Sequence, residues 1–100
     1  MEIEIRKEGA DCTLKLIGEI HSDNVAIFDD AIEKIDNSIT HLILDCAELT
    51  YSSSAGLRTI LKAQKKMASH GVLKLINVNA RVYEILEITG FSELLVIEKA

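Results

Sequence analysis

Three consecutive hydroxyls, Ser52, Ser53 and Ser54, followed at once by Ala55 and Gly56, are the residues of this chain best suited to carry chemistry. Upstream, an apolar run from Ile39 to Leu44 ends at Asp45, and a short polar connection is expected before the serines; downstream, Leu57, Ile60, Leu61 and then Met67 recur at helical spacing. The serines therefore stand where a strand hands over to a helix. The first turn of a helix presents unpaired N–H groups and the positive end of the helix dipole, so a hydroxyl held there suits contact with an anion or conversion into one. Ser54 is the candidate. Serine is also among the best N-cap residues, and one of the three is expected at this boundary for stability alone. One cap does not need three serines, however. Gly56, just inside the helix, costs about 0.5–1 kcal/mol relative to alanine, which argues for a close approach or an unusual turn at that point.

Catalysis by Ser54 is disfavoured. A serine nucleophile needs a base oriented by a third group, and His21 is the only neighbour on offer, with no Gly-x-Ser-x-Gly elbow in the chain. The glycine spacing and terminal lysine of a phosphate-binding loop are also missing. No enzymatic turnover and no cofactor are expected. Cys12 and Cys46 each lie in apolar, strand-like segments as small buried hydrophobes, and a disulfide is not expected. His21, His41 and His70 are scattered, and no Cys–His spacing suits zinc, so no metal is expected either.

The formal net charge of −5 and an aromatic content of 4% exclude the basic stripe and stacking platform of a nucleic-acid binder; Lys62, Lys65 and Lys66 read as ordinary solvated helix positions. A protein partner fits better. With 100 residues, 48% of them hydrophobic, the chain reads as one domain spanning residues 1–100. It has no apolar run long enough to span a bilayer. The alternating start from Met1 to Ile5 lacks a basic leader, which makes the cytoplasm the expected location.

The elements that must position the serines follow from periodicity. Ile3 and Ile5, then Thr13 to Ile17, form two strands joined by a turn at Gly9-Ala10-Asp11, with Gly18 closing the pair. Ser22 or Asp23 is expected to cap a helix carrying Val25, Phe28, Ile32 and Ile35 inward and Asp29, Asp30, Glu33 and Lys34 outward. The third strand runs from Ile39 to Asp45 and is apolar enough to be buried on both faces. A second helix covers about Ser53 to Ser69, with Gly71 as a left-handed cap. Val72 to Ile76 form the fourth strand, Asn77-Val78-Asn79 a polar turn, and Asn79 caps a third helix carrying Val82, Ile85 and Leu86 to Gly90. Leu94 to Ile97 form the fifth strand.

This order implies an α/β fold: a mixed five-stranded sheet, first strand antiparallel and the rest mainly parallel, with three helices. In such sheets sites form beyond the carboxyl ends of the parallel strands. The second, third and fourth strands would deliver Gly18 to Ser22, Ser52 to Ser54 and Asn77 to Asn79 to one small polar patch. Its expected members are Ser52, Ser53, Ser54, Gly56 and Arg58, with His21, Asp23 and Asn77 on the rim. Ordinary caps and turns would equally account for each rim residue taken alone.

The phrase Ser53-Ser54-Ala55-Gly56-Leu57-Arg58, after a strand ending in Asp45, resembles the signature of the STAS-domain family of anti-sigma-factor antagonists. Leu16-Ile17-Gly18-Glu19-Ile20 is similar to the family's second strand and its exit, and Ile85 to Phe91 to its last helix and glycine turn. The resemblance implies a bacterial regulator of transcription that docks on an anti-sigma factor with serine kinase activity and is switched off by phosphorylation at Ser54. Where many members carry aspartate, this chain has Ser53 and His21. That departure favours a second reading, an unphosphorylated interaction subunit of a larger assembly such as a membrane transport system. The terminal helix that longer members add is not expected after Ala100.

Overall fold

The computed structural model describes all residues, Met1–Ala100. The alternating N-terminal segments form an antiparallel hairpin, β1 (Glu2–Glu8) and β2 (Asp11–Ile20), closed by a two-residue turn at Gly9 and Ala10. Helix α1 (Val25–Glu33), strand β3 (His41–Ser52), helix α2 (Ser54–Ala68), strand β4 (Val72–Val78), helix α3 (Ala80–Ile88), a 3-10 turn (Phe91–Glu93) and strand β5 (Val96–Lys99) follow. The sheet order is β1-β2-β3-β4-β5, with β1 antiparallel to β2 and every other pair parallel. This is the mixed α/β architecture expected from the pattern of elements.

Period-2 alternation decides which sheet face is covered. Cys12, Leu14 and Leu16 of β2, Leu42, Leu44 and Cys46 of β3, and Leu73 and Leu75 of β4 are buried in one cluster with Phe28 and Ile32 of α1 and Leu57, Ile60 and Met67 of α2. The intervening Thr13, Lys15, Ile43, Asp45, Lys74 and Ile76 remain half-exposed. The third strand is thus covered on one face rather than both. On the open face Lys15 pairs with Glu48 at 2.7 Å, and that bond raises the lysine's pKa; Lys74 pairs with Glu98.

Helices α1 and α2 are tied together by polar bonds as well as by the core. Asp29, expected to point outward, is half-buried and accepts bonds from Thr59 Oγ1 at 2.6 Å and Lys62 Nζ at 3.3 Å. Lys66 Nζ donates to the carbonyls of Ile32 (2.9 Å) and Glu33 (3.1 Å), placing a cation at the carboxyl end of α1, where the helix dipole favours it.

Several boundaries differ from expectation for identifiable reasons. Neither Ser22 nor Asp23 caps α1. Asn24 holds the N-cap position, but its side chain turns back on the preceding loop. Gly71 is not in the left-handed region; a Cβ there would collide with the Thr40 carbonyl oxygen and sit 2.9 Å from Met67 Cε, so close packing is what requires glycine. Gly90, at φ +79°, is the left-handed residue that ends a helix. Leu61 is only half-buried; Leu57, Ile60, Ala63 and Met67 carry the inward face of α2. The 3-10 turn delays β5, which leaves Leu94 exposed and buries Leu95.

Candidate functional site

The site is built by an irregularity in β3. The strand was expected to stop at Asp45 and give way to a polar connection, yet it continues to Ser52. Along β2 and β3 the pairing runs Lys15 with Asp45, Ile17 with Glu48, Gly18 with Leu49 and Glu19 with Tyr51, so two extra residues are accommodated on β3. Each bulge shifts the side-chain alternation by one position. Buried residues therefore change spacing from two to three, passing from Leu42, Leu44 and Cys46 to Leu49 and then Ser52. A three-residue spacing of short and polar residues does not read as a strand, which is why the segment looked like a loop. Pairing with β4 does end at Asp45, opposite Ile76, so β2 is the only strand that pairs with the extension.

The three serines are thereby given different environments. Ser52 is 3% exposed, and its hydroxyl donates to the Ser53 carbonyl at 3.0 Å. Ser53 occupies the N-cap of α2 with extended backbone (φ −76°, ψ 174°), and its N–H donates to the Ile20 carbonyl at 2.9 Å. Its hydroxyl makes no capping bond and is buried without a partner. Ser54 is the first residue of the helix and is exposed. The expected close approach at Gly56 is real: a Cβ there would collide with Ser52 Oγ and lie 2.9 Å from Ile20 Cγ2. Gly56 therefore lets α2 press its first turn onto the ends of β2 and β3.

Arg58 is exposed one turn after Ser54, so the two share a helix face. The loop after β2 is braced by Asn24, whose Oδ1 accepts the His21 N–H at 2.8 Å and whose Nδ2 donates to the Glu19 carbonyl at 3.0 Å. His21 Nε2 lies 2.8 Å from Glu19 Oε1, and Asp23 is exposed. Asn77 is not in a turn but within β4, in the left-handed region at φ 57°, and its Nδ2 donates to Asp45 Oδ1 at 3.0 Å. That bond engages the side chain with the middle of β3 rather than with its serine end. Asn79 does cap α3, accepting from the Val82 N–H at 2.8 Å, and its Nδ2 also donates to the Leu49 carbonyl at 2.9 Å.

Two residues of this end escaped the sequence reading. The Tyr51 ring lies with its centroid 5.3 Å from that of His21, and the Arg81 guanidinium carbon is 5.7 Å from it on α3. The signal available was an aromatic directly before the serines in a chain with only four. Two concavities open elsewhere, one over the open sheet face beside Glu4, Arg6, Lys15 and Asp45, the other between α3 and the C-terminal strand beside Tyr83, Glu87 and Lys99. No group of three His, Cys, Asp or Glu residues is placed to share a metal ion. No helix is long and apolar enough to cross a membrane.

The STAS-domain family model matches residues 2–100. The chain belongs to the STAS-domain family. A candidate anti-sigma factor antagonist of Bordetella bronchiseptica, BtrV, is 37% identical over 59 residues, which cover 58% of this STAS chain and 51% of BtrV, so the match spans about half of that relative's length. Among solved structures, an anti-sigma factor antagonist from Mycobacterium paratuberculosis superposes with a TM-score of 0.89 at 14% identity, covering 99% of this chain and 86% of that one. The Bacillus cell-fate determinant SpoIIAA in its phosphorylated form gives 0.75 at 16%, covering 96% and 90%. A sulfate transporter family protein from Wolinella succinogenes gives 0.78 at 17%, covering 89% and 76%. At these identities the superpositions speak for the STAS fold alone.

Proposed function

We propose that the carboxyl end of this sheet, centred on Ser54, is a docking surface for an anti-sigma factor of the serine-kinase type, and that phosphorylation of Ser54 ends the docking. The observation that carries this reading is the contrast among the serines: Ser52 is buried and the Ser53 hydroxyl is enclosed, while Ser54 alone is open at the start of α2. The names of BtrV and of the M. paratuberculosis protein support the partner class, and the existence of SpoIIAA in phosphorylated form supports a covalent switch in this fold.

A phosphoryl group adds about −1.5 to −2 charges at pH 7. At the first position of α2, whose first turn holds no acidic residue, the helix dipole stabilises that charge within this protein. The same group placed in the middle of a docking surface adds bulk and charge that the partner must desolvate. Modification then acts on binding without refolding the domain, as befits a regulator that works in the cytoplasm and catalyses nothing itself.

The test is calorimetric titration of wild type, Ser54→Ala and Ser54→Asp against a kinase-type anti-sigma factor, with intact-mass analysis after incubation with that factor and ATP. Ser54→Asp is expected to bind far more weakly than Ser54→Ala, and a phosphate-sized mass gain is expected in wild type only. Aspartate carries less charge than phosphate, so its effect is a lower bound. Equal affinities for all three proteins, with no mass gain, would sink the switch.

A second reading has its own support. The likeness to a sulfate transporter family protein, together with Ser53 and His21 in place of acidic residues, favours a constitutive subunit of a membrane transport assembly that is never phosphorylated. No binding to the kinase-type factor, with binding to a transport component unchanged in Ser54→Asp, would select it.

A further inference from the structure

Tyr51, His21 and Arg81 come from three different elements: the end of β3, the loop after β2 and the first turn of α3. Each is held from behind. Asn24 accepts the His21 N–H on Oδ1 and donates its own N–H to the His21 carbonyl, β2 pairs with the strand at Tyr51, and Asn79 ties the start of α3 to Leu49. A tyrosine flanked by an imidazole and a guanidinium, already ordered before any partner arrives, loses little conformational freedom on binding. Tyrosine and arginine are also the residue types that dominate interface energetics. The Tyr51 ring is half-exposed, and Arg81 is exposed.

Two cations stand unpaired at this end of the sheet. The net charge is −5, yet Arg81 and Arg58 are exposed beside the serine turn and neither enters an ion pair. Of the nearby carboxylates Glu19 is engaged by His21; Asp23 and Glu84 are exposed and leave both guanidinium groups unpaired. A planar guanidinium binds carboxylates in a forked geometry, and stacked on an aromatic face it is pre-oriented to do so.

We propose that the His21–Tyr51–Arg81 stack anchors the docking surface and that the partner meets it with carboxylates, seating aspartate or glutamate side chains on Arg81 and on Arg58, one turn into α2 from Ser54, and covering the Tyr51 ring. This rests on the docking reading and names the chemistry of its partner. It also gives phosphorylation a second mode of action, since a phosphoryl group on Ser54 would compete with the partner's carboxylates for Arg58, one helical turn away.

Two measurements test it. In the first, isotope-labelled protein is titrated with a glutamate-rich dodecapeptide and with a glutamine-rich peptide of equal length, by NMR. Shifts at His21, Tyr51, Arg58 and Arg81 are expected with the acidic peptide only, and are expected to disappear at high salt and in Arg81→Gln. Shifts spread over Lys62, Lys65 and Lys74, or none at all, would overturn the proposal. In the second, calorimetry with a kinase-type anti-sigma factor should show about a tenfold or greater loss for Tyr51→Ala and Arg81→Glu, near-wild-type binding for Tyr51→Phe, and no change for Lys65→Glu at the far end of α2. Thermal melts of each variant separate lost binding from lost folding. If the factor binds wild type and the stack variants equally and the acidic peptide is ignored, the stack proposal fails while the docking reading stands. If the acidic peptide binds at the stack but no such factor binds wild type, the docking reading fails while acid recognition stands.

Discussion

Gly56 rests against Ser52: the missing Cβ of the first turn of α2 is the space occupied by the Ser52 hydroxyl, with Ile20 Cγ2 2.9 Å from the same point. This contact sets how closely α2 approaches the ends of β2 and β3, and therefore where Ser54 is presented. In a solvent-exposed helix, glycine to alanine would gain about 0.5–1 kcal/mol. Here the sign reverses. Overpacking against a buried serine and a branched, stiff isoleucine costs about 1–3 kcal/mol, so Gly56→Ala should lower the melting temperature. The double variant Ser52→Ala/Gly56→Ala should recover part of the loss, because the worst overlap is with the hydroxyl. Additive effects in that double-mutant cycle would show that the contact does not govern the packing.

Gly71 and Gly90 should respond oppositely to asparagine, which tolerates the left-handed region. At Gly90, where φ is +79° and a Cβ would meet no atom within 4 Å, Gly90→Asn should leave stability nearly unchanged. At Gly71 the obstacle is the fixed Thr40 carbonyl, itself bonded to the Val72 N–H at 2.9 Å, so both Gly71→Asn and Gly71→Ala should be clearly destabilising. Chemical denaturation of wild type and these three variants checks this, and an unfavourable Gly90→Asn paired with a harmless Gly71→Ala would reverse the assignment.

The serines should differ in stability cost as they differ in environment. Ser54→Ala should change the melting temperature little. Ser53→Ala should cost less than the ~1 kcal/mol usual for an N-cap, because its hydroxyl makes no capping bond and removing an unpartnered buried hydroxyl recovers desolvation. Asn79→Ala should be the costly one, since it removes the α3 cap and the bond to Leu49 together. A loss at Ser53 as large as that at Asn79 would mean that its hydroxyl does cap α2 in solution.

Along α2, Ile60→Ala should cost about 2–5 kcal/mol, because the site is 1% exposed and enclosed by the core. Leu61→Ala, at a half-buried position, should cost clearly less. Equal losses in urea titrations would place the helix in a different rotation.

Both thiols should be inert in the native state. Cys12 and Cys46 are each 0% exposed, and burial, helped by the adjacent Asp45 charge, pushes the Cys46 thiol from its ordinary 9.0 up to about 12. Ellman's reagent should therefore report no free thiol until the protein is unfolded. The raised value means that the native state keeps a proton the unfolded chain releases, so this contribution to stability is complete below pH 9 and is lost as pH rises towards 12. The fall in melting temperature between pH 8 and pH 10 should accordingly shrink in Cys46→Ala.

Periodicity was enough to read five strands, three helices and their order, because each element's apolar spacing is set by its own backbone geometry and needs no knowledge of the partner. The turn at Ser52 to Ser54 and the need for glycine at residue 56 were legible for the same reason, being local. Contacts between distant segments decided the rest. Strand β3 runs on to Ser52 because its Cys46–Ser52 segment finds backbone partners in β2, and the two bulges that make this possible disguise the alternation. Asn77 is held by Asp45, 32 residues away, and Gly71 is required by a carbonyl from the other end of a crossover, so neither role could be inferred from neighbours in sequence. The same holds for the serines. Three identical side chains in a row differ only in what the folded chain sets against them, and burial of Ser52 and of the Ser53 hydroxyl leaves Ser54 as the one open at the surface.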